Sequence, residues 1–200
     1  MRRTSSGTSI AVVCMLRGVN VGARRIKMDS LRGLCASLDL DGAQTYIQSG
    51  NIVFRSPHGK LGAVAARLEQ EIESLFGFHS DAIFRSAEEM RAVIAANPFA
   101  RRTDVAGNRL LVTFLREEPS AESRNKALAL ADRVRGPEEL HFSGRELFIF
   151  FPEGMGRSKM PVPAIEKQMA TPGTARNWNT VVKLLEMAEA LENVRGGVSP

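Results

Sequence analysis

Apolar positions along the chain alternate between two periods. Ile10 to Leu16 (IAVVCML) is a nearly unbroken, β-branched apolar run, which predicts an internal strand. A glycine-bearing loop, RGVNVGARRIK, follows. Met28, Leu31, Leu34, Cys35 and Leu38 then recur at helical spacing and predict a helix over 28–38, with Asp29 in its first turn. LDLDGA reads as a turn, Thr45 to Ile47 as the start of a strand, QSGN as a turn and Asn51 to Phe54 as the returning strand. Leu61, Val64, Leu68, Ile72 and Leu75 predict a second helix over 60–76. Asp81 to Arg85 predicts a short strand, and Ala87 to Ala96 a third helix that Asn97-Pro98 terminates.

The second half repeats this order. Polar residues 100–108, with Gly107, predict a linker. Leu110 to Leu115 predicts a strand, and residues 121–134 a helix ended by Arg135-Gly136-Pro137. Glu139 to Phe142 and Arg145 to Phe151 flank Ser143-Gly144 as a hairpin. There Leu147, Ile149 and Phe151 alternate with Phe148 and Phe150, so both faces of the second strand are expected to be covered. PEGMGRSKM reads as a glycine loop, followed by helices over 164–169 and 177–193. Each half therefore begins β-α-β-β-α, the order of a split β-α-β unit. The predicted fold is α+β, with two ferredoxin-like subdomains arising by duplication. The expected boundaries are a flexible basic tail over 1–8, a subdomain with an extra helix over 9–99, the linker over 100–108, and a second subdomain with the C-terminal helix over 109–195. One continuous mixed sheet with helices on both faces is the alternative.

Composition narrows the class. Of 200 residues, 44% are hydrophobic and 24% charged, a globular balance. The net charge of +5 is unevenly placed. Met1 to Lys27 holds Arg2, Arg3, Arg17, Arg24, Arg25 and Lys27 and no acid, whereas the rest carries 21 basic and 22 acidic residues. A second basic stretch, Met155 to Lys183, has five basic residues against Glu166. Local positive charge of this kind favours a polyanion or a phosphorylated small molecule. Cys14 and Cys35 form no C-x-x-C unit and are expected as buried thiols rather than a disulfide. His58, His79 and His141 share no ligand spacing, so no metal site is expected. The run Ile10 to Leu16 is short for a signal segment, and no stretch approaches the roughly 18 apolar residues of a membrane span, so the expected location is the cytoplasm.

Glycine stands beside polar or cationic residues in three loops. LRGVNVG places Arg17 and Asn20 directly after a strand, and Gly18 and Gly22 permit backbone amides to gather around an anion. The pattern matches neither G-x-G-x-x-G nor a P-loop. YIQSGNIVF offers Gln48, Ser49 and Asn51 as ligand hydrogen-bonding groups, or equally as groups that satisfy the turn itself. GMGRSKM concentrates Arg157, Ser158 and Lys159, the most phosphate-like set in the chain, with a guanidinium fork beside a mobile ammonium. A fourth segment, TARNWNTVVKLLEMA, places Arg176 and Asn179 near the start of the final helix, where unpaired N–H groups attract anions, while Thr174 or Asn177 could cap it. Trp178, Val181, Leu185 and Ala188 form its apolar stripe. No Ser/His/Asp order or S-x-x-K motif is legible, and no general base is evident, so the sequence assigns neither a reaction nor a cofactor.

MLRGVNVG, KMDSLRGLC, YIQSGNIVF, the ANPF of Ala96 to Phe99, GRSKM and TARNWNTVVKL together resemble the DUF1697 family of bacterial proteins, a domain of unknown function. The resemblance runs over roughly 10 to 190. The family's opening resembles L-R-G-I-N-V-G-G, so Ala23 replaces a second glycine. Gly156, Ser158 and Lys159 match a motif resembling G-x-S-K-L, with Met160 for leucine. Thr174, Arg176, Asn177, Trp178, Asn179 and Thr180 match one resembling T-x-R-N-W-N-T. The resemblance implies an α+β fold with ferredoxin-like subdomains and supplies no catalytic roles.

The leading expectation is a module that binds a small phosphorylated or nucleotide-like anion in a cleft between subdomains, where Arg17, Arg157, Lys159 and Arg176 would converge. Single-stranded nucleic acid or RNA is an alternative partner, disfavoured by an aromatic content of 6% and the lack of an RNP-like run. A protein-interaction module, in which these motifs are only caps and turns, is the third.

Overall fold

A computed structural model describes residues 9–193. The tail over 1–8 lies outside the described residues. The chain divides into two compact units: residues up to Met90 together with those from Leu184 on, and Arg91–Lys183.

Unit 1 contains β1 (Ser9–Leu16), α1 (Met28–Ser37), β2 (Asp41–Tyr46), β3 (Asn51–Pro57), α2 (Leu61–Phe76) and β4 (Ala82–Ser86). Its four strands pair antiparallel in the order β2-β3-β1-β4. The apolar run of β1 is thus a central strand. Its alternate residues Val12, Cys14 and Leu16 join Ile52, Phe54, Leu31, Leu34, Leu68 and Ile72 in one core beneath α1 and α2. Ala11, Val13 and Met15, on the opposite face, are also buried. Burial on both faces explains why the sequence shows no period-two alternation here. Burying a Leu or Ile side chain contributes about 1.5–3 kcal/mol, so this cluster supplies most of the unit's driving force.

Unit 2 repeats the plan with β5 (Leu110–Leu115), α4 (Ala121–Asp132), β6 (Glu139–Ser143), β7 (Glu146–Phe150), α5 (Val162–Gln168) and β8 (Gly173–Asn177), ordered β6-β7-β5-β8. Leu115, Leu147, Ile149 and Phe151 form its core with Ala127, Ala131, Ile165 and Met169. Both units are antiparallel sheets built β-α-β-β-α-β, as the duplication reading expects. Each closing strand runs straight into a helix, β4 into α3 (Ala87–Ala95) and β8 into α6 (Trp178–Asn193). These two helices carry the chain across the unit boundaries at Met90/Arg91 and Lys183/Leu184.

Four segments differ from the sequence pattern. β2 begins at Asp41, within the stretch read as a turn. β3 continues to Pro57 instead of stopping at Phe54. β8, the closing strand that a second β-α-β-β-α-β unit requires, is not marked by the residue pattern, because its buried positions are Thr174 and Arg176, which leave no apolar alternation to read. The stretch 100–108, expected as a linker, belongs to unit 2 and is fastened there. Arg102 pairs with Asp104 at 2.7 Å and with Glu139 at 2.6 Å, and its guanidinium lies 4.8 Å from the centre of the Phe150 ring. Hydrogen bonds from Arg102 hold the Asp104 carboxyl below its ordinary range.

Candidate functional site

The first two glycine motifs meet in unit 1. Arg17 leaves β1 with its backbone N–H donating to Asp81 O, while its guanidinium reaches the Asp81 carboxylate at 3.4 Å. Gly18 and Asn20 both adopt left-handed backbone, with φ of 68° and 58°. The Asn20 side chain donates to Ile26 O and Gln48 O and accepts from Ile26 N–H, which closes its own loop and ties it to the next. Asn51, fully buried, donates to Tyr46 O and to the Ser49 hydroxyl. Asn20 and Asn51 are therefore committed to turn geometry. The exposed Gln48 amide and the half-exposed Arg17 guanidinium remain presented to solvent. Sequence reading passed over His79, whose ring nitrogens lie 3.6 Å from Glu73 and 3.5 Å from Asp81. The adjacent triplet His79-Ser80-Asp81 was its only signal; Ser80 donates to Arg17 O.

The third motif forms a cavity in unit 2. The turn Met155–Arg157 follows Gly154, whose φ of 86° turns the chain sharply after β7. Ser158 then donates its hydroxyl hydrogen to Glu138 and accepts from Met160 N–H at 3.0 Å. This clip brings the loop against the segment that joins α4 to β6. The resulting cavity, of about 260 Å³, is lined by Arg135, Gly136, Glu138, Glu153, Arg157, Ser158 and Lys159, among others. Arg135, Arg157 and Lys159 are exposed, and none of their side chains has an ion-pair or hydrogen-bond partner among the described residues. Glu138 Oε2 is buried and likewise has no hydrogen-bond partner. It lies where a Cβ at position 136 would stand, so a side chain there would displace the carboxylate. A second cavity of about 190 Å³ shares Arg135, Gly136 and Glu138 and adds Leu128, Asp132, Leu140 and Met160.

The fourth motif is built differently from its sequence reading. Arg176 is buried in β8 rather than exposed at a helix start, and its guanidinium donates to the Thr174 hydroxyl at 2.7 Å and to Ala175 O at 2.8 Å. Asn177 caps α6, accepting from Thr180 N–H at 2.9 Å. Asn179 packs its amide onto Gly107, while Trp178 N–H donates to Gly107 O. Arg176 lines neither of these two cavities. β8 and β6 are opposite edges of the sheet, three strand spacings or roughly 14 Å apart, and Glu138 immediately precedes β6. Arg157, Ser158 and Lys159 are thus brought together, and Arg176 stands apart from them. Sequence reading also missed Arg85, buried in β4. It pairs with Val13 as Arg176 pairs with Val112, one residue before the helix cap in each unit. Among the described residues, no group of three or more His, Cys, Asp or Glu is placed to hold a metal ion.

Residues 10–148 match the model of the family described as "Protein of unknown function (DUF1697)". The chain belongs to this family. The match includes the Arg17 and Gln48–Asn51 loops, and it ends before the Arg157 loop and β8. A comparison with curated proteins finds no match. Among solved structures, a conserved bacterial protein, SP0830 from Streptococcus pneumoniae, is similar, with a TM-score of 0.66 and 23% identity. The alignment covers 90% of this chain and 99% of that one. That likeness is one of fold.

Proposed function

We propose that the protein binds a small phosphorylated ligand in the unit 2 cavity. The observation that carries this reading is the set of Arg135, Arg157 and Lys159 around one concave site, all exposed and none engaged by a carboxylate. Cations that only solvate a surface commonly sit on convex ground or pair with neighbouring acids. Here two guanidiniums and an ammonium border a cavity of about 260 Å³, just under the roughly 300 Å³ where drug-sized pockets begin. That volume suits a phosphate and a short attached group. The guanidinium fork supplies paired donors and the lysine a point charge. Larger ligands, nucleotides included, would extend beyond the cavity.

Thermal shift with inorganic phosphate, sugar phosphates and nucleotides tests this. A ligand at a hundred times its Kd stabilises by about 2.7 kcal/mol, which for a chain of this length raises Tm by roughly 5–10 °C. The wild type should show such a shift for at least one phosphorylated compound, and the Arg157→Ala/Lys159→Ala variant should lose it. Equal shifts in both proteins, or none in the wild type, would remove the reading. RNA is less favoured. Phe114, Phe148 and Phe150 on the unit 2 sheet are at most 1% exposed and offer bases no stacking face.

A further inference from the structure

The two cavities described above differ in charge, and this bears on what the ligand carries besides phosphate. The first is lined by Arg135, Arg157 and Lys159 against Glu138 and Glu153, one positive charge in excess. The second is lined by Arg135 against Asp132 and Glu138, one negative charge in excess. They meet along Arg135, Gly136 and Glu138. Taken together they hold three cations and three carboxylates. Opposite charges crowded at a surface commonly pair, even where each pair adds little stability. Yet no ion pair forms among these six residues, and none of them has an ion pair elsewhere among the described residues. Glu138 is held in place by Ser158, and its second oxygen has no partner. The surface is thus polarised only in its net charge, positive by one at the Arg157–Lys159 cavity and negative by one at the Asp132 cavity.

We propose that the ligand is bipolar, with a phosphate at one end and an ammonium group at the other, and that it spans both cavities. This rests on the phosphate reading above. A bare phosphate monoester, with a charge of about −1.5 to −2, satisfies the first cavity and faces repulsion from Glu138 and Glu153. An aminoalkyl phosphate brings a positive centre to Asp132 and Glu138 and leaves the pair of cavities close to neutral. The second cavity also presents Leu128, Leu140 and Met160, which suit a short methylene chain between the two charged groups.

Calorimetry on the full chain distinguishes the outcomes. The probes are phosphoethanolamine, longer aminoalkyl phosphates and the matching alkyl phosphates without nitrogen. The wild type is expected to bind one of the amino compounds roughly three- to fivefold more tightly than its nitrogen-free counterpart, the range of a partly exposed ion pair. Asp132→Asn should erase that preference while leaving the nitrogen-free probe unchanged. Its carboxylate has no ion pair among the described residues, so the variant is expected to fold. Equal binding of the two compound types, or a preference that survives Asp132→Asn, overturns the bipolar ligand and leaves the phosphate site standing. If no probe binds, or binding ignores Arg157→Ala/Lys159→Ala, the phosphate reading fails and the bipolar ligand with it.

Discussion

Ile47 and Arg135 both hold left-handed backbone without being glycine, at φ of 46° and 48°. For an L-residue this conformation costs about 1–2 kcal/mol, and most for a β-branched one. At Ile47 the flanking carbonyls are pinned by Asn51 and Asn20, so neighbouring side chains impose the conformation. The isoleucine is 48% exposed and recovers little from packing. Ile47→Gly should therefore gain about 0.5–1 kcal/mol after the entropic cost of glycine, read as a higher urea midpoint. Arg135→Gly should stabilise by a similar amount while weakening phosphate binding, a combination that a purely structural arginine would not give. Cys35 makes a contrasting case. Burial pushes its thiol up to about 11 from an ordinary value of 9.0. Its stabilising effect is complete below 9.0 and is lost as pH climbs toward 11. Thiol reagents at pH 8 should modify it only when the chain opens.

At the level of elements, helix starts illustrate what sequence could and could not reveal. Ser86 accepts from Glu89 N–H at 3.1 Å while the Glu89 carboxylate accepts from Ser86 N–H at 2.7 Å, a reciprocal cap. Asn177 serves α6 alone. Ser86→Ala and Asn177→Ala should each cost about 1 kcal/mol in chemical denaturation. The Asn177 cap was readable, because asparagine before a periodic apolar stripe has few other uses. The strand before it was not, since Thr174 and Arg176 fill inward positions where a strand pattern needs apolar residues. β1 and the hairpin of β6 and β7 were legible for the opposite reason: their inward positions are almost all apolar. Candidate site residues follow the same logic. Asn20 and Asn51 have side chains equally suited to a ligand and to a turn, and composition cannot say which. Arg157 and Lys159 were legible because a glycine loop gives long cations no structural role. Arg135 and Asp132 were not, because they read as the frayed end of a helix.

For the whole molecule, the paired arrangement of Arg85 and Arg176 extends the duplication to a shared register, although the residues around them differ. The units are not equal in continuity. Unit 2 is one stretch, whereas unit 1 includes α6 from Leu184 onward. There Leu184 and Ala188 are fully buried, and Leu191 O accepts from the Arg55 guanidinium. A chain ending at Lys183 should therefore lose amide-exchange protection mainly in β1 to β4. Burial of Leu184 and Leu191 alone contributes about 3–6 kcal/mol.

That split between the chain ends makes the two cores unequal in what they cost to close. The segment Arg91–Lys183 is continuous, so its core forms from contacts within one stretch of chain. Unit 1 must bring the residues from Leu184 on back across the whole sequence of the other unit before its own core is complete. The first unit therefore carries the longer loop and the slower closure.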